Sequence, residues 1–347
     1  MRGTERGVNL PRLAPGPNYR HLQRLTDDNG LFEHARFGEP RPEHGYCLDD
    51  VARGLVVTCR EPDPSPAVRA LAGRYLDFTL SAIGPDGACH NRMSRDGRWS
   101  DEPGLGDWWG RALWGLGVAA VAAPTRAMRA RAVLGFRAAA RRRSPDRHAM
   151  AFAALGAGEL LMHRPEEASA RAVLADAVVA IAVPDASDSV WPWPEPRLRY
   201  ASGAIVEALL LAGAALPDPA VRTAGFELLD FLVRTEIRDD RLSVTPVAGR
   251  GVDDTGIGFD QQPIEVAALA DACARGFDLS ADERWRSAVR SAWAWFTGDN
   301  DSATPMFDPI TGAGFDGLQV GGCNQNQGAE STLAFLSTAQ QAQRLLG

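Results

Sequence analysis

Lysine is absent from this chain of 347 residues: all 37 of its basic side chains are arginine. That excludes every mechanism needing a lysine amine, including Schiff-base chemistry, pyridoxal phosphate attachment and the P-loop lysine. Five cysteines at 47, 59, 89, 273 and 323 have no regular spacing, which points to reduced thiols and a cytoplasmic setting rather than a disulfide framework. Met1 to Arg20 has no apolar signal-like core, and no run reaches the length of a bilayer span; Ala112–Ala123 is apolar but too short. A net charge of −7 disfavours a nucleic-acid partner. Neither a βαβ pattern nor a phosphate loop occurs, because no strand precedes Gly251–Gly258.

What is there is helix. Apolar periodicity and Pro or Gly breaks predict helices over Leu48–Arg60, Val68–Ile83, Trp108–Ala122, Thr125–Arg141, Asp146–Met162, Pro165–Ala182, Tyr200–Leu216, Pro219–Arg238, Gln262–Phe277, Ser280–Thr297 and Gln327–Leu346. Pro17–Leu25 is left to pair with the last helix, and a short strand is expected within Leu242–Val247. The first helix of each pair is often apolar all round, and the second carries a charged face. Six buried helices inside six amphipathic ones describe a single all-α domain, 1–347, an (α/α)6 barrel or six-hairpin toroid; a helical solenoid is the alternative, disfavoured by the irregular repeat spacing.

In such a barrel the long loops enter the inner helices at one end, together with free backbone N–H groups. Those loops are rich in acids, aromatics and amides. The pair Asp49-Asp50 opens a helix where one cap suffices, so a cap alone does not account for both. Asp107, Asp146 and Asp260 each have a capping reading, with Pro263 in the first turn after Asp260. Glu330 lies beside the amides of Asn324-Gln-Asn-Gln327. Two carboxyl groups a few ångströms apart, one held protonated, are the usual means of cleaving a glycosidic bond. The candidate catalytic residues are therefore Asp49, Asp50, Asp260, Glu330 and Asp107. Trp108, Trp109, Trp191, Trp193 and Tyr46 are expected to stack on sugar rings, with packing of the loops as the competing role. His44, Arg53, Gln261, Asn324 and Gln325 are expected to bind hydroxyls. His44, Cys47, Cys89, His90 and Cys323 match no compact metal motif, so neither metal nor cofactor is expected. His44 and His148, if they face each other, would serve a sugar epimerase instead.

Four segments carry a resemblance: His44–Arg53, Phe259–Glu265, Trp295–Asp301 and Asn324–Phe335. Together they are similar to a bacterial (α/α)6-barrel domain family often fused to, or encoded beside, glycosyltransferases. The resemblance implies a six-hairpin glycosidase-like barrel, a role in glycan metabolism and a glycosyltransferase partner. Arg199-Tyr-Ala-Ser-Gly203 departs from the family pattern. The expected function is a glycoside hydrolase acting on oligosaccharides; the alternatives are a non-catalytic glycan-binding module and a sugar epimerase or isomerase.

Overall fold

The computed structural model describes residues 16–181, 190–238 and 241–347. Six helices form an inner ring: α2 (Leu48–Arg60), α4 (Asp107–Ala122), α6 (Arg147–His163), α8 (Ser202–Ala215), α10 (Pro263–Ser280) and α12 (Ala329–Leu346). Each packs on the next, and α12 packs back on α2, so the ring closes. That closure is the (α/α)6 barrel and excludes the open solenoid. The outer helices are α1 (Arg20–Arg24), α3 (Pro66–Ser81), α5 (Arg126–Ala139), α7 (Ala168–Ile181), α9 (Pro219–Glu236) and α11 (Glu283–Phe296). As expected, the short first helix α1 packs on the last, α12. Leu242–Val247 is not a continuous strand; Arg241–Leu242 pairs with Ile237–Arg238, and Pro246 makes an isolated bridge to Gln261. Ala182, the expected end of the seventh helix, lies outside the described residues. No described helix is long and apolar enough to cross a membrane.

Small residues set how closely the inner helices approach. A methyl group at Gly156 would run into the carbonyl of Leu113, and one at Gly117 into that of Gly156. The α4–α6 seam is therefore close backbone packing that admits no side chain on either side.

The axial faces of the inner helices follow one rule, visible at i, i+3, i+4 and i+7. On α2 the face reads Asp49, Asp50 and Arg53, then Val56 and Val57, then Arg60. On α6 it reads His148, then Phe152 and Leu155, then Glu159, and on α12 Glu330, then Leu333 and Ala334, then Ser337. The middle of each series lines an enclosed apolar void of about 50 Å³ on the barrel axis. Below it, Arg60 binds Asp271 at 3.1 Å and Arg275 pairs with Glu159 and Glu207, sealing the short-turn end. The barrel thus has a polar mouth, an apolar waist and an ionic base.

Candidate active site

Capping chemistry separates the two ends of the barrel. Outer helices α3, α5, α9 and α11 begin with side-chain caps, from Ser65, Thr125, Asp218 and Asp282. Inner helices α4, α8, α10 and α12 enter the mouth with no side-chain cap. Their N–H groups and helix dipoles favour electron-rich atoms at the mouth. Asp146 does cap α6, accepting from the N–H groups of His148 and Ala149. Asp107 and Asp260, by contrast, are not caps: α4 starts after Gly106 and α10 after Gln262. At α2 the Cys47 sulfur accepts from the N–H of Asp50, so neither Asp49 nor Asp50 is spent on capping.

Both aspartates are spent on arginines. Asp50 is buried and binds the Arg53 guanidinium through Oδ1, while its Oδ2 accepts from the Cys47 thiol at 3.3 Å. Asp49 binds Arg111 of α4 and lies 3.7 Å from Arg53. From the other end of the chain, Glu330 reaches the same Arg53 at 3.0 Å. Three acids from two helices thus converge on one buried guanidinium. They line a cavity of about 370 Å³ with His34, Arg92, Gln262 and Asn324. Within it, the Glu330 side chain is 42% exposed and that of Asp50 only 4%, so Glu330 is the carboxylate open to a ligand.

Burial pushes the Asp50 carboxyl up to about 7; Arg53 opposes the shift and the charges of Glu330 and Asp49 add to it. Asp107, half-buried in the first turn of α4 one turn above Arg111, is pushed up to about 6, again chiefly by burial. Arg111 opposes that shift, and Asp49 and Asp146 add to it. The mouth therefore contains carboxyl groups that exchange protons near neutrality.

Other predicted residues are placed differently. Asp260 is exposed on its loop, and Gln262 stands in the cavity instead. Gln261 is fully buried; its amide donates to Asp301 at 2.6 Å and accepts from the Trp295 indole at 3.2 Å, so it braces a loop and cannot meet a ligand. Trp109 is fully buried with its indole N–H on the Ala139 carbonyl, Trp193 packs on Phe231, and Tyr46 is buried with its hydroxyl on Asp27. These three do not stack on sugars. Trp108 and Trp191 are half-buried, each with its indole N–H on a loop carbonyl, of Cys89 and Glu195 respectively. The loop tryptophans hold the mouth together because these long loops have no sheet to bury them. His44 lies edge-on against His34, while His148 is buried with its ring stacked on Tyr200. Gln325 is exposed outside the cavity lining.

Sequence reasoning missed several participants. Glu33, His34 and Arg92 come from loops without chemical motifs and arrive through short pairings such as Cys47 opposite Arg92. Asp316 accepts from the N–H of Gly328 at 2.8 Å and the hydroxyl of Ser331 at 2.6 Å, fixing the entry of α12. Arg111 had a readable signal: it stands four residues after Asp107 on an otherwise apolar helix. Among the described residues Glu33, Cys47 and Asp50 bring donor atoms within 4.8 Å of one another. Arg92 and Arg53 already bind the two acids, so the donors are taken and the group does not suit a cation.

No family model and no curated relative matches this chain. Solved structures do, over nearly their whole length. Cellobiose 2-epimerase from Bacillus thermoamylovorans superposes with a TM-score of 0.69 at 11% identity, covering 93% of this chain and 95% of that one. D-mannose isomerase gives 0.67 at 11% identity, covering 94% of each chain. The cellulase of C. cellulolyticium in complex with cellobiose gives 0.61 at 9% identity, covering 92% and 88%. At these identities the likeness defines the fold class alone: an (α/α)6 barrel.

Proposed function

We propose that this chain is a carbohydrate-active enzyme that hydrolyses glycosidic bonds in oligosaccharides at the barrel mouth. The observation that carries the reading is the convergence of Asp49, Asp50 and Glu330 on Arg53 in one polar cavity. Solved proteins of this fold with sugar-processing names add support. Glu330 on α12 and Asp107 on α4 stand on different sides of α2; Glu330 is the most exposed of the three acids on Arg53, and Asp107 is half-buried just beyond the cavity lining. In this reading Asp107 protonates the leaving oxygen, and Glu330 acts as base or nucleophile at the anomeric carbon. Asp49, held between two guanidinium groups, binds hydroxyls, as do Arg53 and Asn324. Asp50 positions Arg53. The enzyme works in the cytoplasm without metal or cofactor, alongside a glycosyltransferase.

Epimerisation or isomerisation of a sugar is the second reading, favoured by the names of several solved neighbours and opposed by the burial of His148 against Tyr200. Incubating the protein with gluco- and manno-configured oligosaccharides and following products by proton NMR separates the two. New reducing ends indicate hydrolysis. A changed C2 configuration or a ketose at constant chain length indicates the second reading and refutes the first.

A further inference from the structure

Burial of the predicted tryptophans leaves the mouth with a different aromatic inventory. Among the described residues two aromatic side chains stay exposed, Phe37 at 55% and Tyr200 at 37%, both beyond the lining of the cavity. Both are held in place by their backbones. Phe37 has φ 50°, a left-handed conformation unusual for a bulky residue, and its N–H donates to the Asn326 side chain at 3.0 Å. Its carbonyl accepts from the N–H of Gln327 at 3.0 Å, which ties it to the entry of α12. Tyr200 precedes Ala201, whose φ is 51° and whose N–H donates at 2.8 Å to the buried Glu265 carboxylate of α10. The Tyr200 ring stacks on His148 with centroids 5.1 Å apart and planes at 15°.

The chain of contacts between the two rings runs through the catalytic groups. From Phe37 it passes to Gln327, two residues before α12, and along the backbone to Glu330 in the first turn of that helix, then to Arg53, Asp49 and Arg111, whose guanidinium lies 5.9 Å from the Tyr200 ring centroid. Along that floor, buried Arg111 Nε and Asp49 Oδ1 have no hydrogen-bond partner, which is unfavourable for each group unless a ligand or water serves it. Alternating cations and acids between two apolar ring faces match a sugar chain, whose hydroxyls meet the floor while its C–H faces meet the rings.

We infer that the mouth binds an oligosaccharide, not a monosaccharide, with Phe37 and Tyr200 as stacking platforms for sugar units on either side of the reacting one. The inference rests on the hydrolase reading for which unit reacts, but its test is binding. Calorimetric titration of the Glu330→Gln protein with cellotetraose and β-1,4-mannotetraose, against glucose and mannose, reads it directly. At least one tetrasaccharide is expected to bind about a hundred-fold tighter than its monosaccharide, as two stacked units imply. Adding Phe37→Ala or Tyr200→Ala should each weaken the tetrasaccharide about ten-fold and leave the monosaccharide unchanged. Tyr200→Phe should bind normally. Tyr200→Leu, which keeps apolar bulk over His148, should lose as much as Tyr200→Ala, separating stacking from packing. Equal affinity of tetrasaccharides and monosaccharides, unchanged binding in both alanine variants, or no binding of any of the four sugars overturns it. Absence of new reducing ends with the wild-type protein refutes the hydrolase reading alone and leaves these binding ratios as evidence for the platforms.

Discussion

Replacing Arg53 with methionine tests the electrostatics of the mouth most sharply. Arg53 is buried and offsets the buried Asp50 carboxylate while also binding Glu330. Removing one partner of a buried ion pair costs about 3–5 kcal/mol, because the other charge is left uncompensated. The loss depends on pH because Asp50 can take up a proton. In the wild type its carboxyl lies at about 7 against an ordinary 3.8. The folded state therefore holds the proton more tightly, and this contribution is full below 3.8 and lost as pH rises through 7. Arg53 works against that shift, so without it the folded value rises further. If it reaches 8, the variant loses about 1 kcal/mol more than the wild type between pH 5 and pH 8, and no more than about 1.4 kcal/mol however far the value rises, since one proton over three pH units is worth at most about 4.1 kcal/mol and the wild type already loses about 2.7. Urea denaturation at the two pH values measures this: the Arg53→Met protein should be closer to wild type at pH 5 than at pH 8. An equal stability deficit at both values would refute the coupling of Asp50 to Arg53.

Three further outcomes follow from other parts of the molecule. Gly156→Ala places a methyl against the Leu113 carbonyl at the α4–α6 seam and should cost about 1–3 kcal/mol or more of stability in a denaturant melt, whereas Gly73→Ala, which meets nothing within 4 Å, should not. With Asp107 as proton donor, turnover falls as pH rises through about 6. Asp107→Asn should lower kcat by about 10²–10⁴ on natural linkages but much less on aryl glycosides with activated leaving groups; an equal loss on both would remove Asp107 from that role. Cys47, Cys59, Cys89 and Cys273 are buried with their thiols raised by burial, and Cys323 is only partly covered. Native labelling with a thiol reagent should therefore modify Cys323 alone, and mass spectrometry of the labelled peptides checks it.

The barrel was legible in the sequence because its helices announce themselves locally. Apolar periodicity, Pro and Gly breaks, and the contrast between Ala-rich inner and Arg-bearing outer helices are all short-range signals. The acids on inner helices were legible for the same reason: Asp49, Asp50 and Glu330 each precede an axial face at a spacing of three or four residues. Tryptophan roles were not, since a ring in a long loop serves packing or ligand equally well until its neighbours are known. The loop tryptophans fill space beneath loops without extended sheets, and the rim is left to Phe37 and Tyr200. Gln261 misled because its motif position resembles a binding residue, yet pairing of its backbone with Leu318 turns the amide inward toward Trp295. Glu33, Arg92 and Asp316 were invisible because only long-range loop pairing brings them to α2 and α12.

The most direct measurement is a crystal structure of the Glu330→Gln protein soaked with an oligosaccharide that the wild type cleaves. The account predicts a sugar ring over Arg53 within hydrogen-bonding distance of Asp49 and the side chain at position 330, its glycosidic oxygen facing Asp107 and the next unit on Tyr200. A sugar bound elsewhere on the barrel, or a glycosidic bond out of reach of both Asp107 and position 330, would contradict it.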